Sequence, residues 1–94
     1  MKYQHVKMIF SSQKSFVEKH GEVVWEELCD ACAIGEIYSV NVIAGSLPAI
    51  KHYKNPGKYL RLIIANVIAE YGSNPEEVPV RWIDESRRTH FKLI

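Results

Sequence analysis

Cysteine, glycine and long apolar runs are all scarce in this chain of 94 residues, and each scarcity excludes a class of protein. Two cysteines cannot form the disulfide framework that stabilises many small secreted domains. The most apolar segment, residues 62–69, is much shorter than the roughly 20 residues that cross a bilayer. Polar residues interrupt the first ten positions, so they do not provide the apolar core of a secretory signal. We therefore predict a cytoplasmic protein with no membrane partner.

Catalytic motifs are also missing. The five glycines are scattered, so neither a P-loop nor a dinucleotide-binding loop occurs. Gly45-Ser46-Leu47 lacks the second glycine of a nucleophile elbow. Adjacent carboxylates such as Glu76 and Glu77 point in different directions on a helix or strand, so they do not form a local acid-base pair. The residues favour a non-catalytic protein without a cofactor, and an enzyme assembled from distant residues is the alternative.

Cys29 and Cys32 have the spacing of a redox dithiol or of half a zinc site. A reactive thiolate usually lies at a helix N-terminus near positive charge. These cysteines instead come near the predicted C-terminal end of a helix, beside Glu26 and Asp30. No two histidines have the spacing of a zinc-ligand pair, and there is no second C-x-x-C motif. We therefore predict no metal site and interpret both cysteines as packing residues, with a thiol or metal site as the less favoured alternative.

The length and the apolar share of 47% are those of an ordinary folded protein with a single domain over residues 1–94. Helical periodicity is strongest over residues 56–71, where apolar residues cover more than half of the helix circumference. Pro56 suits the first helical position, Asn55 can cap the free amides, and Gly72 can end the helix in a left-handed conformation. This pattern predicts a helix in the middle of the core.

Two further helices are predicted in the N-terminal half, over residues 12–20 and 22–33. Ser15 and Glu18 have capping-box spacing, and Gly21 is typical of a helix end.

Alternating apolar and polar residues predict four strands. These strands cover residues 3–10, 36–44, 78–82 and 89–93. The polar residues 84–88 lie between the last two and predict a hairpin loop. Pro79 predicts an edge strand, because proline has no amide hydrogen to donate. The predicted fold class is α+β, with a small antiparallel or mixed sheet that includes a C-terminal hairpin.

The net charge of +1 conceals a strong segregation of charge. Residues 37–69 contain four cations and no acid, and two tyrosines are interleaved with the cations around the start of the central helix. Cations and free helix amides together can hold a phosphate, and a tyrosine ring can stack on a base. The predicted nucleic-acid or anion site consists of Lys51, Tyr53, Lys54, Lys58, Tyr59 and Arg61. Arg87, Arg88 and Lys92 form a secondary basic patch that extends this site if the hairpin packs nearby.

This pattern predicts a small regulatory module that binds nucleic acid or another anionic partner. The plainer interpretation is that surface loops are often rich in lysine and that the tyrosines cover the edge of the core.

An acidic stripe on the second predicted helix supports an alternative function. Glu22, Glu26 and Asp30 recur every four residues, and Glu27 lies beside them. Like charges at this spacing weaken a helix slightly, so the stripe either is a solvated face or binds a basic protein. The alternative is therefore a protein-binding module, an inhibitor or adaptor. A small core is only marginally stable, so a homodimer formed through an exposed strand edge also fits the sequence.

Overall fold

A computed structural model describes the backbone of residues 2–94 and the side chains of residues 14–94. Within these residues the chain forms helices α1 (Lys2–Ala31), α2 (Val40–Ala44) and α3 (Pro56–Glu70). The strands are β1 (Ile37–Ser39), β2 (Val80–Trp82) and β3 (His90–Leu93), and they form one antiparallel sheet in the order β1-β3-β2. The predicted α+β fold class is confirmed.

Helix α3 is the central element, as its periodicity predicts. Leu60, Ile63 and Ile64 are fully or almost fully buried, and α3 contacts α1, α2 and β2. Spacings of three and four residues place these side chains on one face of α3, and this face packs in the core between the other helices and the sheet. No helix within the described residues combines the length and the apolar character needed to cross a membrane.

The ends of α3 differ in part from the prediction. Pro56 occupies the start of the helix, but the Asn55 side chain makes no capping hydrogen bond. Gly72 is not left-handed, because the last turn tightens instead: the amides of Tyr71 and Gly72 donate to the carbonyls three residues earlier, over 3.2 and 3.1 Å. Tightening of this kind satisfies terminal carbonyls without a left-handed residue.

The two predicted N-terminal helices are one continuous helix. Residues 12–20 are helical, and so are residues 22–31, but Gly21 lies inside α1 and does not end it. A Cβ atom on Gly21 would lie 3.7 Å from Ile63 Cδ1, so α3 packs directly over this position. Burial of α1 residues on both sides of Gly21 outweighs the roughly 1 kcal/mol that an internal glycine costs. The chain turns later, at Gly35, which has a φ of 87°.

The strand predicted over residues 3–10 is wrong, because the backbone of α1 runs through this stretch. The side chains that suggested the strand lie outside those described. Once a helix exists, each further residue adds one hydrogen bond, so a helix nucleated in the core extends readily into weakly patterned residues.

The strand predicted over residues 36–44 is only partly correct. It ends at Ser39, whose hydroxyl accepts a hydrogen bond from the Val42 amide over 3.4 Å and caps α2. The helix buries Val40 and Ala44, which are four residues apart, and leaves Val42 69% exposed. A strand would have placed Val40 and Val42 on the same face, so helical spacing is what matches the core here.

The C-terminal hairpin forms as predicted. Strands β2 and β3 pair with Trp82 opposite Phe91, and β2 lies at an edge of the sheet, as Pro79 indicated. Phe91, Trp82 and Val80 are buried against the helices. The opposite face carries Arg81 and Lys92, which are direct cross-strand partners.

Candidate nucleic-acid interface

An open groove of about 830 Å³ lies between α1 and a second wall formed by the segment before α3 and the first turn of α3. We call it the basic groove. Helix α1 lines it with Ser15, Phe16, Lys19 and His20, and the other wall consists of Tyr53, Lys54, Asn55, Lys58 and Tyr59. Three of these nine residues are lysines and none is an acid.

Two local features bring the walls together. Phe16, Lys19 and His20 are separated by three and four residues, so they share one face of α1. The Phe16 ring is 8% exposed and packs on Tyr59, with 4.7 Å between the ring centroids. Because Tyr59 is in the first turn of α3, this contact holds the start of α3 against α1.

The floor of the basic groove is aromatic. Tyr53 and Tyr59 meet edge to face, with centroids 4.8 Å apart and planes at 81°. Tyr53 also contacts Phe16 at 6.0 Å. Such geometry is favourable for aromatic pairs and limits the freedom of each ring. Both tyrosines are only half-buried, so part of each ring remains accessible from the groove.

The lysines of the basic groove are exposed cations. Lys58 Nζ lies 5.7 Å from the centroid of the Tyr59 ring, a cation-π distance. Within the part of the chain whose side chains are described, Lys19, Lys54 and Lys58 form no ion pair. Lys54 and Lys58 also flank the N-terminus of α3, where an exposed cation is unfavourable by roughly 0.3–1 kcal/mol. A bound anion would relieve this helix-end effect.

The structure gathers four of the six predicted site residues. Tyr53, Lys54, Lys58 and Tyr59 line the basic groove. Lys51 is exposed but does not line it, and Arg61 donates hydrogen bonds to Asn41 Oδ1 and to the Arg88 carbonyl. The Arg61 guanidinium is therefore engaged in hydrogen bonds within the fold.

The contributions of α1 were missed by the sequence interpretation. Lys19 and His20 lie more than thirty positions from Tyr53 in the sequence. No local sequence pattern predicts that α1 and the segment before α3 form the two walls of one groove. The packing of α1 on α3, with Phe16 against Tyr53 and Tyr59, brings them together.

The secondary basic patch is divided by the sheet. Arg88 lies over the Trp82 ring, 5.6 Å from its centroid, and Lys92 lies on the opposite face beside Arg81. Arg87 is exposed in the hairpin loop, and none of the three predicted residues lines the basic groove.

The acidic stripe on α1 is also divided. Glu22, Glu26 and Asp30 are exposed, whereas Glu27 is half-buried. Glu27 Oε1 accepts a hydrogen bond from the Ala49 amide over 3.0 Å. Glu27 therefore fixes the turn after α2 and is not part of a free acidic face.

The cysteine thiols have unfavourable surroundings for redox or metal chemistry. Burial, with a smaller effect of Cys29, raises the pKa of Cys32 to about 11. Burial and the Asp30 carboxylate also raise the pKa of Cys29. Both sulfurs are therefore protonated at neutral pH, whereas the reactive form and the metal ligand is the thiolate. Among the side chains of residues 14–94, no three His, Cys, Asp or Glu residues are grouped to hold a metal ion.

Comparison of the chain with models of protein families, with curated proteins and with solved structures finds no match.

Proposed function

We propose that the protein is a small, non-catalytic, cytoplasmic regulatory module that binds single-stranded nucleic acid in the basic groove. The observation that supports this function is the convergence of Lys19, Lys54 and Lys58 on a floor formed by Tyr53 and Tyr59, with no acid among the nine described lining residues. Cations alone would suit any polyanion. Accessible aromatic rings between them suit a polyanion that also carries flat bases.

The lysines act on the phosphate backbone. Each lysine that neutralises a phosphate releases condensed counterions, and this release gives affinity that falls steeply with salt. Lys19 comes from α1, whereas Lys54 and Lys58 come from the opposite wall, so a strand lying in the groove has cations on both sides. The positive end of the α3 dipole adds to the attraction.

The tyrosines act on the bases. Stacking of a base on an aromatic ring contributes about 1–3 kcal/mol and tolerates any sequence. Because bases inside a duplex already stack on each other, an aromatic floor favours single strands. The edge-to-face contact between Tyr53 and Tyr59 leaves the rings nearly perpendicular, so one bound base stacks on one ring.

The test is the binding of fluorescently labelled single-stranded RNA and DNA, followed by anisotropy over a series of salt concentrations. We expect Lys54→Glu to weaken binding by roughly tenfold or more and to reduce the dependence on salt. Lys51→Glu is the matched control, since it makes the same charge change at an exposed position outside the groove. An equal loss of affinity in Lys54→Glu and Lys51→Glu would contradict a binding site in the basic groove.

The role of the tyrosines needs a separate variant. Tyr53→Leu keeps an apolar side chain but removes the stacking surface. We expect it to weaken single-strand binding while leaving the weaker binding of duplex DNA and of heparin unchanged. If heparin binds as well as single strands and Tyr53→Leu has no effect, the groove is a general anion site and the assignment to nucleic acid is wrong.

A further inference from the structure

A second groove, of about 410 Å³, lies between α1 and the middle of α3. We call it the acidic groove. Its lining from α1 includes Val17, Gly21 and Trp25, which are four residues apart and so share one face of the helix. This set has no member in common with the α1 residues that line the basic groove. The two grooves are therefore separate sites on the same helix.

The floor of the acidic groove is apolar. Val17 and Trp25 are only half-buried, and Val67 of α3 is half-buried opposite them. Gly21 lies between Val17 and Trp25 and has no side chain, and the buried Ile63 side chain packs beside it, with Cδ1 3.7 Å from where a Cβ atom on Gly21 would lie. The accessible apolar surface of the groove is therefore that of Val17, Trp25 and Val67, and a large apolar side chain from outside can contact all three.

The rim of the acidic groove is negative on both walls. Glu18 and Glu22 come from α1 and Glu70 comes from α3, and none of the lining residues among positions 14–94 is basic. Glu18 lies 3.9 Å from Lys14 in an exposed ion pair, and Glu70 Oε1 accepts a hydrogen bond from Asn66 over 3.1 Å. Both contacts are on the surface, where such pairs contribute little to stability and can be replaced by contacts with a bound cation.

We propose that the acidic groove binds a basic amphipathic segment of another protein. A large apolar side chain of the segment packs against Trp25 and Val67. Lysine or arginine residues on its two sides meet Glu22 and Glu70. Charge complementarity selects this occupant: carboxylates on both walls repel nucleic acid and acidic peptides but attract cations. The apolar contact with Trp25 provides affinity, as buried anchors do in protein interfaces, while the charged rim sets orientation and rate.

The probe is a labelled helical peptide with leucine on one face and lysine on the other, titrated against the full chain. We expect Glu22→Lys to weaken binding by roughly tenfold, whereas Glu26→Lys has little effect. Glu26 is one turn further along α1, exposed and outside the groove, so it is the matched control. A peptide with serine in place of leucine is expected to bind more weakly than the probe.

Tryptophan emission locates the bound peptide. The chain has two tryptophans, and only Trp25 lines the acidic groove. We expect the emission change on binding to disappear in Trp25→Phe and to persist in Trp82→Phe. Lys54→Glu is expected to leave peptide binding intact, which separates this site from the proposed nucleic-acid site.

Two results would overturn the proposal. Equal binding by the Glu22→Lys and Glu26→Lys variants, or by the leucine and serine peptides, would indicate general attraction to an acidic surface. A concentration-dependent dimer that Glu22→Lys dissociates would show that a second copy of the chain occupies the groove.

Discussion

The side chain of Arg61 donates a hydrogen bond from Nε to the carbonyl oxygen of Arg88 over 3.0 Å. Arg88 has a φ of 57°, a left-handed conformation that is uncommon for a residue with a side chain. Arg61 Nη2 also donates to Asn41 Oδ1 over 3.2 Å. One guanidinium therefore joins α3 to the hairpin loop and to α2. Arg61, which the sequence predicted to bind an external anion, instead makes its hydrogen bonds within the fold.

Arg61→Ala is expected to lower the free energy of unfolding by roughly 1–2 kcal/mol, because two hydrogen bonds from a charged donor are lost at a partly exposed site. Arg61→Lys should recover little of this loss, since an ammonium lacks the fork that reaches both acceptors. Urea unfolding measures the effect. Arg87→Ala, in the exposed hairpin loop, is the control and should stay within about 0.5 kcal/mol of the parent. A similar loss in both variants would show that the Arg61 contacts do not contribute.

Gly21→Ala is expected to raise the free energy of unfolding by about 0.5–1 kcal/mol, because alanine is the better helix former. The new Cβ atom meets Val17 Cγ1 at 3.6 Å and Ile63 Cδ1 at 3.7 Å, which are ordinary contact distances. Gly35→Ala is the contrasting variant. It should destabilise by roughly 1–2 kcal/mol, since the φ of 87° at that turn disfavours a side chain. The midpoint of thermal unfolding should therefore rise in Gly21→Ala and fall in Gly35→Ala. A lower midpoint for Gly21→Ala would indicate that α1 and α3 pack too closely to accept a Cβ atom at this position.

Asp84 is expected to make stability depend on pH in the acid range. The Thr89 hydroxyl hydrogen bond, with help from the His90 and Thr89 amides, lowers the pKa of Asp84 from 3.8 to about 2. The pKa of Asp84 is lower in the folded state than in the unfolded state, so the ionised carboxylate stabilises the folded protein. This stabilisation is complete above pH 3.8 and is lost as the pH falls through about 2.

Chemical unfolding of the parent and of Asp84→Asn between pH 5 and pH 2 tests this expectation. The difference in stability between the two should be largest near neutral pH and should shrink as the solution becomes more acidic. Ser86→Ala, at an exposed position of the same loop without a titratable side chain, is the control and should differ from the parent by the same amount at every pH. A parent-to-variant difference that stays constant with pH would show that the loop does not hold Asp84 as the carboxylate.

The thiols are expected to react slowly in the folded protein at neutral pH. Cys32 is 7% exposed and has a pKa of about 11, so a thiol reagent should modify it only after unfolding. Cys29 is exposed, so it should react first but more slowly than a free thiol, since its pKa is also raised. Mass spectrometry after timed alkylation, with and without urea, counts the modified sites. Rapid double modification without denaturant, or a Cys29–Cys32 disulfide, would contradict this assignment.

Local patterns predicted the elements whose formation depends on neighbouring residues. The apolar spacing of α3 and the position of Pro56 need no knowledge of the rest of the chain. The same is true of the hairpin between β2 and β3, where two alternating runs flank a polar loop. Here local preference and tertiary packing agree.

Prediction failed where the local preference and the tertiary packing disagreed. Gly21 is a helix breaker by type, yet it lies where α3 crosses α1, and the burial on both sides of it maintains the helix. The β-branched residues after Ser39 favour a strand, yet the Ser39 cap and the burial of Val40 and Ala44 select a helix. In both cases a contact with a distant element decided the outcome.

The central helix, the hairpin and the concentration of lysines and tyrosines around the start of α3 can be recognised from the order of residues, because each depends on residues close together in the chain. Which charges are available for binding depends on the packing of the helices. This packing places Lys19 in one groove with Lys54 and Lys58, places Glu22 in another with Glu70, and makes Arg61 and Glu27 hydrogen-bond partners within the fold. The partner of a charged side chain is often far away in the chain, so the spacing of residues along one segment carries no signal of it.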